Sequence, residues 1–127
     1  MPLYRASPKD GVAWVTGASS GIGRALSLEL ARRGYTVAAT ARTEDKLNSL
    51  ADEAKGLPGR VVPFPCDVTE ETAMAALVKR IEAEVGPIAL AVFNAGNYLP
   101  AKGERLDIAN FRTSFEINVF GVINGLV

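Results

Sequence analysis

Thr16-Gly17-Ala18-Ser19-Ser20-Gly21-Ile22-Gly23 is the stretch on which the fold turns. It follows a short apolar run, Val12 to Thr16, and opens a segment in which Ile22, Leu26 and Leu30 fall four apart with Ala25 on the same face. A short β-branched apolar run reads as a buried strand, and four-residue spacing reads as a helix. The glycines therefore lie in a strand-to-helix turn. Gly17 suits the tight turn, Gly21 lets the backbone approach a pyrophosphate, and Gly23 lets the helix pack on the strand. The N–H groups at the helix start face such a ligand, and the helix dipole adds to the attraction. A glycine-rich turn that binds nothing is the plainer reading of the same residues; the flanking strand and helix favour the ligand.

Outward from the turn, the pattern repeats. Thr36 to Ala41, Arg60 to Phe64 and Ile88 to Phe93 are further short apolar runs. They are nearly continuous rather than alternating, as strands buried on both faces of a parallel sheet are. Helical patterns separate them. Gly34 stands where a helix C-cap glycine belongs. Thr43 is an N-cap candidate, followed by Glu44 and Asp45 and then the stripe Leu47, Leu50 and Ala54, closed by Gly56. A third helix is expected from Thr69, with Glu70 and Glu71 near the positive end of its dipole. Met74, Leu77, Val78, Ile81 and Val85 form its apolar face, and Gly86-Pro87 stops it. A fourth helix is expected from about Asp107. Strand-helix alternation of this kind predicts a parallel sheet covered by helices on both faces. Met1 to Asp10 is expected to be a loose leader, and residues 11–127 one partial domain ending before a fifth strand.

The bulk numbers limit the partners. The 127 residues suffice for one domain, and 14 Lys plus Arg balance 14 Asp plus Glu. That balance gives no electrostatic reason to expect nucleic acid or an anionic membrane. No run approaches the roughly 18 apolar residues of a membrane span. The absence of histidine excludes imidazole catalysis and the common histidine-containing metal sites, so no metal is expected. Cys66 is the one cysteine, which fits a reducing compartment such as the cytoplasm. It is expected to be a small buried hydrophobe, and Trp14 to belong to the core.

Four motifs stand in order on these elements. The first is T-G-x-x-x-G-x-G at Thr16 to Gly23, the second Cys66-Asp67-Val68-Thr69 after the third strand. The third is Asn94-Ala95-Gly96 after the fourth strand, and the last Asn118-Val119-Phe120-Gly121. Together they resemble the short-chain dehydrogenase/reductase family in its compact, tetrad-bearing branch. Phe93 departs from the pattern, where that family commonly has a second asparagine. The resemblance implies a Rossmann-like, doubly wound α/β sheet, here its first four strands in the order 3-2-1-4. It implies a nicotinamide dinucleotide, a small carbonyl or alcohol substrate, and a homodimer or homotetramer at full length. Gly17, Ser19, Ser20, Gly21, Ile22 and Gly23 would hold the dinucleotide, with Asp67 and Val68 beside the adenine and Asn94, Ala95 and Gly96 at the end of the fourth strand. Asn118 matches the tetrad asparagine, which supports a proton-relaying water. Each residue also has a plainer reading: Asp67 as a residue capping or preceding a helix, Asn94 and Gly96 as a plain turn, Asn118 as a solvated helix residue.

The tyrosine, lysine and serine that the resemblance implies for catalysis would lie beyond Val127, and the 127 residues alone are expected to be inactive. Tyr98 and Lys102 form a Y-x-x-x-K string, but Pro100 lies between them and disfavours a shared helix face. A non-catalytic nucleotide-binding module and a self-associating domain are the alternatives.

The cofactor preference rests on the second strand, which ends Ala39-Thr40-Ala41-Arg42. An acidic residue about 20 positions past the glycine turn holds the ribose hydroxyls in NAD-binding folds. Ala41 occupies that place and Arg42 follows, so NADP(H) is expected over NAD(H), with Ser19 and Ser20 as added hydroxyl donors. A guanidinium suits the extra phosphate, with paired donors and a permanent charge. A solvated strand-end arginine is the plainer reading of Arg42.

Overall fold

A computed structural model describes residues 6–94 and the single position Arg112. The elements are β1 (Val12–Thr16), α1 (Gly21–Arg32), β2 (Thr36–Thr40), α2 (Glu44–Glu53), β3 (Arg60–Pro63), α3 (Glu71–Glu84) and β4 (Ile88–Phe93). The four strands form one parallel sheet in the order β3-β2-β1-β4. Thr16 pairs with Thr40 on one side and Phe93 on the other, so three strand ends finish level.

Burial on both faces explains why the strands read as unbroken apolar runs. Ala13, Val15, Val37 and Ala39 face Leu30, Ala31, Leu47 and Leu50 of α1 and α2. Val12, Trp14 and Ala38 face the other way, with Phe64 and with Met74, Leu77 and Ile81 of α3. All five residues of β1 are buried.

The helix ends follow local chemistry. Gly34 has φ +95°, and the amides of Gly34 and Tyr35 donate to the carbonyls of Ala31 and Leu30 at 3.1 and 3.0 Å. That is the paired closure of a Schellman C-cap. Before β1, Pro8–Asp10 is a single 3-10 turn closed by Ser7, whose amide and hydroxyl donate to the Asp10 carboxylate at 2.8 and 3.0 Å.

Three sequence expectations need correction. The buried side of α1 is Gly23, Ser27, Leu30 and Ala31; Ile22 and Ala25 are exposed. The close seat of Gly23 on the Gly17 carbonyl, just past the end of β1, sets the helix rotation, and the larger apolar side chains take the positions that remain. Helix α3 begins at Glu71, two residues past Thr69, because Thr69 is drawn into a turn by Asp67. Cys66 is only half-buried, since it lies in the loop after β3 and not in the sheet. The helix expected from Asp107 lies outside the described residues.

Candidate functional site at the carboxyl ends of the strands

The site grows from the turn between β1 and α1. Gly17 and Gly21 have φ of +66° and +57°, the left-handed region in which a Cβ is penalised. A Cβ built on Gly21 would meet nothing within 4 Å among the described residues, so this backbone borders open space there. Gly23 is the opposite case. A Cβ there would collide with the Gly17 carbonyl and lie 2.7 Å from Asn94 Nδ2. Gly21 is thus required by conformation and Gly23 by close packing. Ser20, extended at φ −156°, is the N-cap, yet its side chain makes no capping bond. Ser20 and Ile22 are exposed and Ser19 half-buried, so all three are available to a ligand. Ile22, at 78% relative exposure, is the one exposed large hydrophobic among the described residues.

Neighbouring strand ends hold this turn in place. The Ala18 amide donates to the Thr40 carbonyl at 3.2 Å, fixing the turn to β2. Asn94 fixes it to β4. Its amide N–H donates to Thr16 Oγ1 at 3.1 Å and its side-chain Nδ2 to the Gly17 carbonyl at 3.4 Å. Asn94 therefore braces the glycine turn.

The next strand ends carry the charged groups. The Cys66 amide donates to the Ala41 carbonyl at 3.0 Å, which ties the loop after β3 to the end of β2. Arg42 follows Ala41, is exposed, and has no ion-pair partner among the described residues. Asp67 Oδ1 accepts from the Thr69 amide at 2.9 Å and the Thr69 hydroxyl at 2.7 Å. The helix-capping reading of Asp67 gives way to this tight turn, and Glu70 takes the N-cap position. Among the described residues Oδ2 has no hydrogen-bond partner. Val68 is buried against α3, so only its backbone can meet a ligand. Burial pushes the Cys66 thiol above its usual range, and the nearby carboxylates of Glu70 and Asp67 add to the effect. That is the opposite of an activated nucleophile.

The structure thus brings Gly17, Ser19, Ser20, Gly21, Ile22, Gly23, Arg42, Asp67, Val68 and Asn94 to one edge of the sheet, at the carboxyl ends of the strands. Ala95, Gly96, Tyr98, Lys102 and Asn118 lie outside the described residues. Two contributors escaped the sequence reading. Thr16 supplies the acceptor that seats Asn94. Arg24 reaches from α1 to α2, and no local pattern announces a contact spanning 22 to 29 residues of sequence. Among the described residues no cluster of three or more His, Cys, Asp or Glu side chains could hold a metal, and no helix is long and apolar enough to cross a membrane.

Comparison with known proteins agrees with this geometry. The short chain dehydrogenase family matches residues 11–127. The chain is 36% identical to the 3-oxoacyl-(acyl-carrier-protein) reductase FabG of Thermotoga maritima over 89% of its own length and 46% of that protein. It is 34% identical to the 2,3-dihydro-2,3-dihydroxybenzoate dehydrogenase of Bacillus subtilis over 89% of its length and 43% of that protein. In structure it resembles a short-chain type dehydrogenase/reductase from Mycobacterium marinum, with a TM-score of 0.88 at 33% identity, over 94% of this chain and 47% of the other. It also resembles an alcohol dehydrogenase from Thermococcus sibiricus complexed with 5-hydroxy-NADP, with a TM-score of 0.86 at 33% identity, over 91% of this chain and 50% of the other. The chain spans about half the length of these relatives.

Proposed function

The chain belongs to the short-chain dehydrogenase/reductase family, and on that premise we propose that it is the dinucleotide-binding part of an NADP(H)-dependent oxidoreductase acting on a small carbonyl or alcohol. The observation that carries the cofactor preference is the end of β2. Ala41 stands where an NAD-binding site keeps its acid, and the next residue is an exposed Arg42 with no ion-pair partner among the described residues. A carboxylate at Ala41 would repel a 2′-phosphate; a guanidinium attracts it. The NADP analogue in the Thermococcus sibiricus neighbour supports the same reading.

The residues present fit a dinucleotide. The open side of Gly21 leaves room for a pyrophosphate against the backbone, and the first amides of α1 donate to it. Ser19 and Ser20 add hydroxyl donors. Asp67 Oδ2 accepts the adenine amino group, while Oδ1 is spent on Thr69 and keeps the carboxylate oriented. When bound, the nicotinamide supplies the hydride chemistry. Asn94 holds the glycine turn at its correct height, and Asn118 supports the water that relays the proton. A non-catalytic nucleotide-binding module shares every one of these contacts, and turnover of carbonyl substrates separates the two.

The test of the preference is the dissociation constant of NADPH and of NADH, read by nicotinamide fluorescence, for the protein and for Arg42→Ala. Loss of a charge-assisted contact is expected to cost NADPH roughly 1.5–3 kcal/mol and to leave NADH nearly unchanged. Equal weakening of both cofactors, or of neither, removes Arg42 from phosphate recognition.

A further inference from the structure

Arg24 sits in the first turn of α1, directly after Gly23, and its side chain crosses to α2. Nη2 forms an ion pair with Glu53 Oε2 at 2.6 Å and lies 3.4 Å from Ser49 Oγ, while Nη1 donates to the Lys46 carbonyl at 3.3 Å. Lys46, Ser49 and Glu53 are spaced three and four apart, one face of α2. The guanidinium is only a quarter exposed. Its donors grip α2 from the first turn to the last residue, and its charge is compensated by Glu53.

The placement matters because of what lies at each end. Arg24 is continuous with the turn that cradles the pyrophosphate, and its own amide donates to Ser20 at 3.3 Å. Helix α2 begins two residues after Arg42, so α2 fixes where the short Arg42 loop ends, as β2 fixes where it starts. A dinucleotide has a fixed span between its pyrophosphate and its 2′-phosphate. A site that reads both needs the glycine turn and the Arg42 loop at a fixed separation. We infer that Arg24 is a positioning residue for cofactor discrimination: it locks α2 against the glycine turn and so holds Arg42 at the distance of the 2′-phosphate. The inference rests on the NADP(H) reading above and goes beyond it, since Arg24 itself touches no phosphate. The competing idea is that Arg24 leaves Glu53 and binds a phosphate directly.

Dissociation constants for NADPH and NADH decide it, measured for the protein, Arg24→Ala, Glu53→Gln, Arg42→Ala and the double variant Arg24→Ala/Arg42→Ala, with thermal midpoints taken on each. Arg24→Ala is expected to weaken NADPH about 3–10-fold, with NADH changed less than about twofold, and to add little in the Arg42→Ala background, as coupled neighbours do. Glu53→Gln keeps the arginine but removes its anchor, and is expected to weaken NADPH in the same direction. Equal loss for both cofactors, additivity with Arg42→Ala, or tighter NADPH binding by Glu53→Gln would overturn the inference. If Arg42→Ala alone leaves NADPH unaffected, the cofactor reading has failed instead. Should Arg24→Ala not fold, the exposed Glu53→Gln carries the test.

Discussion

Gly23 and Gly21 carry the same letter for different physical reasons. Gly23 has the Gly17 carbonyl where a side chain would begin, with Asn94 beyond it. Gly23→Ala therefore pushes α1 off β1 and displaces Asn94. The expected loss is about 1–3 kcal/mol, the usual range for overpacking, read by urea unfolding, together with weaker binding of either nicotinamide dinucleotide. An unchanged unfolding midpoint would show that the helix slides at no cost. Cys66 offers a residue-scale test by pH. Burial first, then Glu70 and Asp67, raise its thiol pKa. Its reaction with iodoacetamide should be slower than that of free cysteine, with its pH midpoint above that of free cysteine. Because the folded value exceeds the unfolded one, the thiol's contribution to stability is fully present below the unfolded pKa and is lost as pH rises through the folded value. A midpoint below that of free cysteine would contradict the assignment.

At the scale of elements, periodicity located every described strand and α-helix, but not always their edges, and it did not foresee the 3-10 turn Pro8–Asp10. The stripe Leu47, Leu50 and Ala54 is buried as its spacing implies. The rotation of α1 was not legible, because Ile22 and Leu26 offer as good a stripe as Ser27 and Ala31. The close approach at Gly23, a contact between elements, chose between them. The start of α3 was misplaced because Thr69 suits an N-cap by type, while Asp67 two residues earlier captures it. The C-terminus of α1 was legible, since only a left-handed residue closes a Schellman motif at no cost. Gly34→Ala should lose roughly 1–2 kcal/mol, the penalty for an L-residue in that region, with a lower thermal midpoint and no change in cofactor preference. A shift in preference would mean that the far end of α1 communicates with the site.

At the scale of the whole sheet, two half-cores lie on opposite faces and share no side chain among the described residues, and Trp14 spans the central strands on one face. Its indole N–H donates to Thr40 Oγ1 at 3.0 Å, and its ring meets Phe93 edge-on at 5.5 Å. Phe93 departs from its family's pattern, and the edge contact gives it a packing role against Trp14. Thr40→Val keeps the shape but leaves a buried N–H unpaired, and should cost about 1–3 kcal/mol, followed by urea unfolding through Trp14 emission. Full stability would mean that the indole finds another acceptor. The sequence by itself determined the parallel α/β order and the glycine, Asp67 and Asn94 motifs. Those depend on hydrophobic periods and on backbone conformations that local residue types dictate. Only the tertiary structure decided that Asn94 braces the glycine turn and that Arg24 spans to Glu53. Such contacts join residues whose proximity follows from strand order and helix rotation, and packing of the whole sheet sets both.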